Sequence, residues 1–249
     1  MKKSFMLYRV TGGSKLTVQD LKNRNFFDDK EKIRKGVDIE SIASKGDMLY
    51  FDICCEEEIG PFEIAKDNKF ENTTIKIVGR YEVIYLGEYL LIQIRGDNEE
   101  ILRDIKNYLR DWFKLYTEGP LSLYSVVNNP KFYDKKKTKG HLSGLEVNPT
   151  QGKRRAEKVK VTGTDLGKTR DIEYFEKDKK VRIRYRNKNM TVELHDRGRT
   201  NGGTITIYYG KVSREDLMKE LKKVIEKDIE PHLDKGLLKY FKSFSDRYS

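Results

Sequence analysis

Two stretches of the chain repeat one order of hydrophobic patterns, and the first stretch begins with a pair of apolar runs. The segments "YEVIYL" (81–86) and "YLLIQI" (89–94) flank Gly87 and Glu88, which predicts a β-hairpin with a two-residue turn. In that register Tyr85 faces Leu90, Val83 faces Ile92 and Ile84 faces Leu91. Both faces of the hairpin are apolar, so we expect it to be covered on both sides.

An amphipathic helix is predicted directly after this hairpin. Asp97 is placed as its N-cap, with Glu100 three residues on as in a capping box. The helix ends before Gly119 and Pro120. Its apolar stripe is Ile101, Ile105, Tyr108, Trp112 and Tyr116.

The second stretch has the same order. The segments "VRIRYR" (181–186) and "MTVELH" (190–195) flank Asn187 and Lys188, which predicts a second hairpin. A third strand, "TITIYY" (204–209), follows a glycine-rich loop. Ser213 is then predicted to cap a helix that carries Leu217, Leu221, Val224 and Ile225 and stops near Pro231, and "GLLKYFKSF" (236–244) is predicted as a last short helix.

The fold class that follows is α+β, with two subdomains that each pack an antiparallel sheet against an amphipathic helix. Earlier segments add two strands, 5–10 and 48–55, and a short helix, 16–24. We place the boundary between residues 1–119 and residues 120–249. The repeated order suggests an internal duplication, although a hairpin followed by a helix is also a common arrangement.

The second hairpin has an unusual alternation. In "KVRIRYRNK" apolar and basic residues alternate, and side chains alternate across a strand, so one face is apolar and the other basic. The predicted turn makes Arg182 face Glu193 on the open side. The segment "EKVKV" (157–161) repeats the alternation on a smaller scale.

Charge is distributed unevenly between the two halves. The net charge is +11, and charged residues make up 37% of the chain. Residues 1–120 carry 20 Lys and Arg against 22 Asp and Glu, whereas residues 121–249 carry 31 against 18. Residues 131–170 alone carry 12 against 4. Such asymmetry indicates a site for a polyanion.

A basic strand face repels itself and is relieved by an anionic partner such as a nucleic-acid backbone. We therefore predict a non-catalytic protein that binds DNA or RNA, a subunit of a nucleoprotein complex with its binding surface in the second half. The stretch 134–155 is expected to be a flexible flap that orders on the nucleic acid. The near-neutral first half is expected to contact a protein partner. The candidate nucleic-acid-binding residues are Lys135, Lys136, Lys137, Lys139, Lys153, Arg154, Arg155, Lys158, Lys160, Lys180, Arg182, Arg184, Arg186, Arg197 and Arg199.

Two other functions stay open. One is an adaptor whose basic face binds an acidic protein. The other is a metal-dependent nuclease that uses Asp165, Asp171 and Glu173, although their spacing does not fit the usual Asp…Glu-x-Lys arrangement. No metal or cofactor is predicted, since the histidines are scattered and "GTDLGKT" (163–169) lacks the spacing of a phosphate loop.

The adjacent cysteines Cys54 and Cys55 have no other cysteine to pair with, which favours a reducing compartment. The first residues do not have the pattern of a signal peptide, and no segment approaches about 20 apolar residues. We expect a cytoplasmic protein with no membrane contact. Abundant Lys and Glu and only three glutamines give a thermophile-like composition.

Overall fold

In a computed structural model of the chain, the described residues form eleven strands of one antiparallel sheet, with few helices around it. The structure describes residues 1–66, 69–95, 99–129, 141–148, 159–163, 179–187, 190–196 and 202–233. An antiparallel sheet with a few helices agrees with the predicted α+β class. The strands are β1 (Lys2–Gly12), β2 (Lys35–Lys45), β3 (Met48–Lys66), β4 (Lys69–Tyr85), β5 (Tyr89–Gln93), β6 (Tyr116–Glu118), β7 (His141–Asn148), β8 (Val159–Thr162), β9 (Lys179–Asn187), β10 (Met190–Asp196) and β11 (Gly203–Tyr209).

Four α-helices lie in the described ranges: α1 (Val18–Lys22), α2 (Glu99–Phe113), α3 (Tyr124–Asn128) and α4 (Arg214–Val224). The Ser213 side chain caps α4, since its Oγ accepts a hydrogen bond from the Asp216 amide at 3.1 Å. A π-helical turn and a 3-10 turn extend α4 to His232. The predicted cap Asp97 and the predicted helix 236–244 lie outside the described residues.

The first strand is the centre of the sheet. The strand order is β2-β3-β4-β5-β1-β11-β10-β9-β7-β8, with β6 also beside β1. Both β5 and β11 pair with β1 antiparallel. Strands from both predicted halves therefore join in one sheet, and the division into subdomains stays a prediction.

The predicted register is confirmed for the first hairpin and wrong for the second. Tyr85 faces Leu90 and Val83 faces Ile92, and the turn residue Gly87 has a φ of 86° that suits glycine. In the second hairpin, however, Glu193 faces Arg184 rather than Arg182, a shift of two residues. Because side chains alternate with a period of two, the shift changes every cross-strand partner but leaves each residue on its predicted face.

Three other expectations change. Part of the predicted flap is strand β7, which pairs with both β8 and β9, while the rest of 134–155 lies outside the described residues. Strand β2 is not among the predicted strands. On α2, Ile105 is buried as expected, but the deepest side of the helix also contains Leu109, and Tyr116 is 49% exposed on β6.

Two hydrophobic cores lie on opposite faces of the sheet. We call the α4 side the face where Ile84, Leu91, Ile183 and Ile207 pack with α3 and α4. The α2 side is the other face, where apolar residues of β1, β3, β4 and β5 pack with α1 and α2. The first hairpin contributes to both cores, as its two apolar faces predict. On the α2 side, the described helices cover the strands up to β1, and β11, β10, β9, β7 and β8 are left open.

Candidate nucleic-acid interface

The structure describes the side chains of four of the fifteen candidate residues: Lys160, Arg182, Arg184 and Arg186. Lys180 is described only as a strand position that pairs with Val147. The others lie outside the described residues: Lys135, Lys136, Lys137, Lys139, Lys153, Arg154, Arg155, Lys158, Arg197 and Arg199.

All four described residues lie on the α2 side of the sheet, on the surface that no described helix covers. We call this surface the open face. Cross-strand pairing arranges it in rows. The first row runs Lys160, Glu146, Arg182, His195 and Thr204. The second row runs Thr162, Gly144, Arg184, Glu193, Thr206 and Ser4, and the third contains Arg186, Thr191, Tyr208 and Lys2.

Glu193 neutralises part of this face. Its carboxylate is almost inaccessible, with the side chain 7% exposed, and it accepts two hydrogen bonds from Arg184, one of them from Nε at 2.9 Å. Arg182 Nη1 lies 3.4 Å from the other carboxylate oxygen. The hydrogen bonds to Glu193 raise the pKa of the Arg184 guanidinium. The open face is therefore less basic than the alternation alone predicts.

Arg182 has further neighbours in its row. Its Nε lies 3.8 Å from Glu146 Oε2, and its Nη2 lies 3.4 Å from His195 Nδ1. Arg182 and Arg184 are thus held in place by carboxylates and are each 35% exposed. Both have a fixed geometry and little unbalanced charge.

Arg186 and Lys160 differ from these two arginines. Both side chains are exposed. Neither forms an ion pair with a carboxylate in the described part of the chain. Counting only side chains that the structure describes, the open face of β7, β8, β9 and β10 carries four cations and two carboxylates, and the excess positive charge lies at Arg186 and Lys160.

A pocket of about 410 Å³ opens between the second and third rows of the open face. Among the described residues, no carboxylate lines it. Ser143 Oγ donates a hydrogen bond to the Arg184 carbonyl at 3.3 Å, which fixes one wall. Gly144 follows Ser143 in the chain. A Cβ at Gly144 would lie 3.3 Å from Arg184 Cβ, so a larger residue there would crowd the Arg184 side chain. The pocket is lined by Ser143, Thr162, Gly163, Arg184, Arg186, Thr191 and Tyr208.

Tyr208 connects the pocket to β1. The Arg184 guanidinium carbon lies 5.1 Å from the centre of the Tyr208 ring, and Arg184 Nη2 donates to the phenol oxygen at 3.4 Å. Lys2 Nζ lies 5.8 Å from the same ring. The ring is half-buried and belongs to a cluster of cations.

The hydroxyl groups and Lys2 are not among the residues predicted from the sequence. Thr191 and Thr162 occupy the same alternating positions as the arginines, which is a signal that the sequence contains. Lys2 joins the face only because β1 pairs with β11, and that pairing spans most of the chain. No local pattern predicts it.

The described residues give little support to a nucleophilic cysteine or a metal site. Burial raises the pKa of the Cys54 thiol to about 11 and that of the Cys55 thiol to about 12, so both are protonated at neutral pH and poor nucleophiles. No group of three or more His, Cys, Asp or Glu side chains in the described ranges could hold a metal ion. Asp165, Asp171 and Glu173 lie outside those ranges.

None of the helices in the part of the chain that the structure describes has both the length and the apolarity needed to cross a membrane. A comparison with protein-family models finds no match, and a comparison with the curated proteins finds no similar sequence. The geometry of the open face is therefore the basis for assigning a function.

Proposed function

We propose that the protein is a non-catalytic nucleic-acid-binding subunit of a nucleoprotein complex, and that the open face is its binding surface. One observation carries the proposal: Arg186 and Lys160 are exposed cations without an ion pair to a described carboxylate, on an uncovered sheet face where Arg186 also lines a polar pocket. Cations of this kind release condensed counterions when they reach phosphates. The charge of residues 121–249 supports the same ligand class.

The arginines of β9 have different roles in this proposal. Arg182 and Arg184 are held by Glu193 and give the face a rigid frame. Arg186 and Lys160 supply the charge that a phosphate neutralises. The lysines of 134–155 would add phosphate contacts, at the cost of ordering their side chains.

The test is a binding titration of the purified protein with single- and double-stranded DNA and RNA at low and at physiological salt. The proposal expects binding that weakens steeply as salt increases, by a log–log slope of about −0.7 to −0.9 per phosphate contact. Polyglutamate serves as the competitor for the adaptor alternative. Tight polyglutamate binding without nucleic-acid binding would replace our proposal with an acidic protein partner.

The nuclease alternative has a separate test. We expect no cleavage of any of the four substrates with Mg²⁺ or Mn²⁺. Cleavage that disappears in Asp165→Ala or Glu173→Ala would contradict the non-catalytic assignment and identify those carboxylates as catalytic.

For the protein-contact half, we propose the end of the β3–β4 hairpin as the contact surface. We call residues 56–66 and 69–78 the arm, because β3 and β4 pair there beyond the strands that flank them. Ile59 pairs with Ile75, and both are exposed, as is Ile77 nearby. A two-stranded ribbon with an exposed apolar side is marginally stable alone and typical of an interaction surface.

We also propose that the two halves arose by duplication. Glu82 on β4 and Glu193 on β10 are both buried carboxylates on the second strand from β1. They face opposite sides of the sheet, and each is paired with a cation, Lys3 for Glu82 and Arg184 for Glu193. Because α2 and α4 also cover opposite sides, a two-fold rotation about β1 would exchange the halves.

A cytoplasmic, reducing location fits the free cysteines.

A further inference from the structure

The pocket on the open face has an excess of hydrogen-bond donors over acceptors. Arg184 and Arg186 contribute guanidinium groups, and Thr162 and Thr191 contribute hydroxyl groups that can donate. The described lining residues include no carboxylate. A site of this composition suits an anion with several acceptor oxygens, and a phosphate group matches the planar fork of arginine.

The guanidinium groups have unequal freedom. Arg184 is fixed by Glu193 and by the phenol oxygen of Tyr208, so it can orient a ligand without large loss of side-chain entropy. Arg186 has no ion-pair partner among the described residues and is exposed, so its charge is available. The pocket therefore combines a preorganised donor with an unneutralised one.

An aromatic ring lies directly beside these donors. Tyr208 is half-buried on β11, beside the arginines of β9 and across the Thr191 position of β10. Sheet faces that present an aromatic ring next to basic groups bind the bases of unpaired strands by stacking. The volume of about 410 Å³ gives room for more than an isolated phosphate.

The shape of the open face separates single strands from duplexes. Sequence-reading duplex binders insert a helix or a ribbon into a groove. In the described part of the chain, no helix packs on this side of β7 to β11 and none projects from it. A sheet face without such an element leaves unpaired bases free to lie against it.

We infer that the pocket binds one phosphodiester of a single-stranded nucleic acid through Arg184, Arg186, Thr162 and Thr191, and that a neighbouring base stacks on Tyr208. This inference rests on the proposed nucleic-acid function and deepens it. DNA and RNA share the phosphodiester and the unpaired base, so the experiment tests both.

The experiment measures fluorescence anisotropy of labelled oligo-dT and oligo-rU and of a DNA duplex of the same length. The variants are Tyr208→Leu and Arg186→Gln. Tyr116→Leu and Arg103→Gln are matched controls, because both residues are exposed and lie away from the open face. Thermal unfolding checks the fold of each variant, and the exposed Arg186 keeps the test valid if Tyr208→Leu does not fold.

We expect a single strand to bind at least about ten-fold tighter than the duplex, and Tyr208→Leu to weaken single-strand binding by about ten-fold. Arg186→Gln should weaken it and lower the salt slope by about 0.7. The two controls should leave both affinities unchanged. Equal or tighter duplex binding would overturn the inference and leave the proposed function standing. Unchanged single-strand binding in both variants would overturn the inference and also the assignment of Arg186 to the binding surface, and only nucleic-acid binding itself would remain. No binding to any polymer would overturn both.

Discussion

At the scale of single residues, Glu193 decides what the arginines of β9 can do. It is a buried carboxylate whose nearest cation is Arg184. Arg184 contacts one carboxylate oxygen, and Arg182 lies near the other. The sequence shows four basic residues in alternation and one glutamate on the facing strand. The register, which differs by two residues from the prediction, determines which arginine the glutamate holds.

Arg184→Ala is therefore predicted to destabilise the fold. It leaves the Glu193 carboxylate buried with only the weaker Arg182 contact, which costs roughly 2 kcal/mol of the free energy of unfolding. Arg186→Ala should change that free energy by less than about 0.5 kcal/mol, because the side chain is exposed. Urea unfolding measures both. Adding Glu193→Gln to Arg184→Ala should restore part of the stability, and an equally large effect of Arg186→Ala would contradict the assignment.

A second residue-scale prediction concerns Asp52 and pH. Burial raises the pKa of the Asp52 carboxyl above its usual value, and neighbouring Glu82 raises it further. One oxygen of each carboxylate is buried without a hydrogen-bond partner among the described residues. The folded protein thus holds the Asp52 proton more tightly than the unfolded chain, and the associated stability is present below about pH 3.9 and is lost as pH rises through the raised pKa.

Asp52→Asn resembles the protonated acid and should remove this loss. We expect the variant to be more stable than the wild type near neutral pH, with the difference shrinking as pH falls toward about 4, the ordinary pKa of an aspartate. Urea unfolding at several pH values gives the difference directly. A difference that does not change with pH would mean that Asp52 has the same pKa in the folded and the unfolded chain, which would contradict the prediction.

At the scale of elements, the glycine-containing turn explains why one hairpin was predicted correctly and the other was not. Gly87 has a positive φ that a two-residue turn requires, so the position of the turn could be read from the sequence. No glycine marks the corresponding turn after Asn187. Alternation cannot distinguish registers that differ by two residues, so the faces were predictable and the cross-strand partners were not.

Strands β2 and β7 could not be predicted for another reason. Their sequences "KGVDIESIASK" and "HLSGLEVN" have few apolar residues in alternation. They form because a neighbouring strand offers its edge: β3 pairs with β2, and β9 pairs with β7. Such pairings depend on tertiary structure, and local propensity contains little information about them.

The cap of α4 gives a prediction at this scale. Ser213 Oγ accepts a hydrogen bond from the Asp216 amide, so Ser213→Ala should lower the free energy of unfolding by about 1 kcal/mol. Ser14→Ala is the control, because Ser14 is exposed and outside any helix. Equal urea midpoints for the two variants would show that the cap contributes nothing.

The arm gives another. Ile75→Thr with Ile77→Thr should leave the stability nearly unchanged, since both side chains are already exposed and Thr suits a strand. If the arm is a protein-contact surface, the same variant should self-associate less than the wild type. Sedimentation velocity over a concentration series compares its average mass with that of the wild type, and a large loss of stability would instead show that the isoleucines support the fold.

At the scale of the whole molecule, the two predicted halves share one core. The core on the α4 side contains Leu91 and Ile84 of the first half together with Ile183, Ile207 and Leu221 of the second. We therefore predict that residues 1–119 and 120–249 do not fold as separate chains but form a folded complex when they are expressed together. Circular dichroism and cooperative unfolding provide the measurement, and independent folding of either piece would contradict it.

The uneven charge of the chain is also a property of the whole molecule, and it makes the central claim measurable. The open face should bind a nucleic-acid backbone through Arg186 and Lys160, neither of which forms an ion pair with a described carboxylate. The most direct test compares the wild type with Lys160→Ala and Arg186→Ala together, on one labelled single-stranded oligonucleotide at several salt concentrations. We predict that the double variant keeps its thermal stability while its log–log salt slope becomes shallower by about 1.4, because each of the two removed cations neutralises one phosphate and accounts for about 0.7 of the slope. Failure of the wild type to bind at low salt, or an identical slope for the two proteins, would contradict the claim.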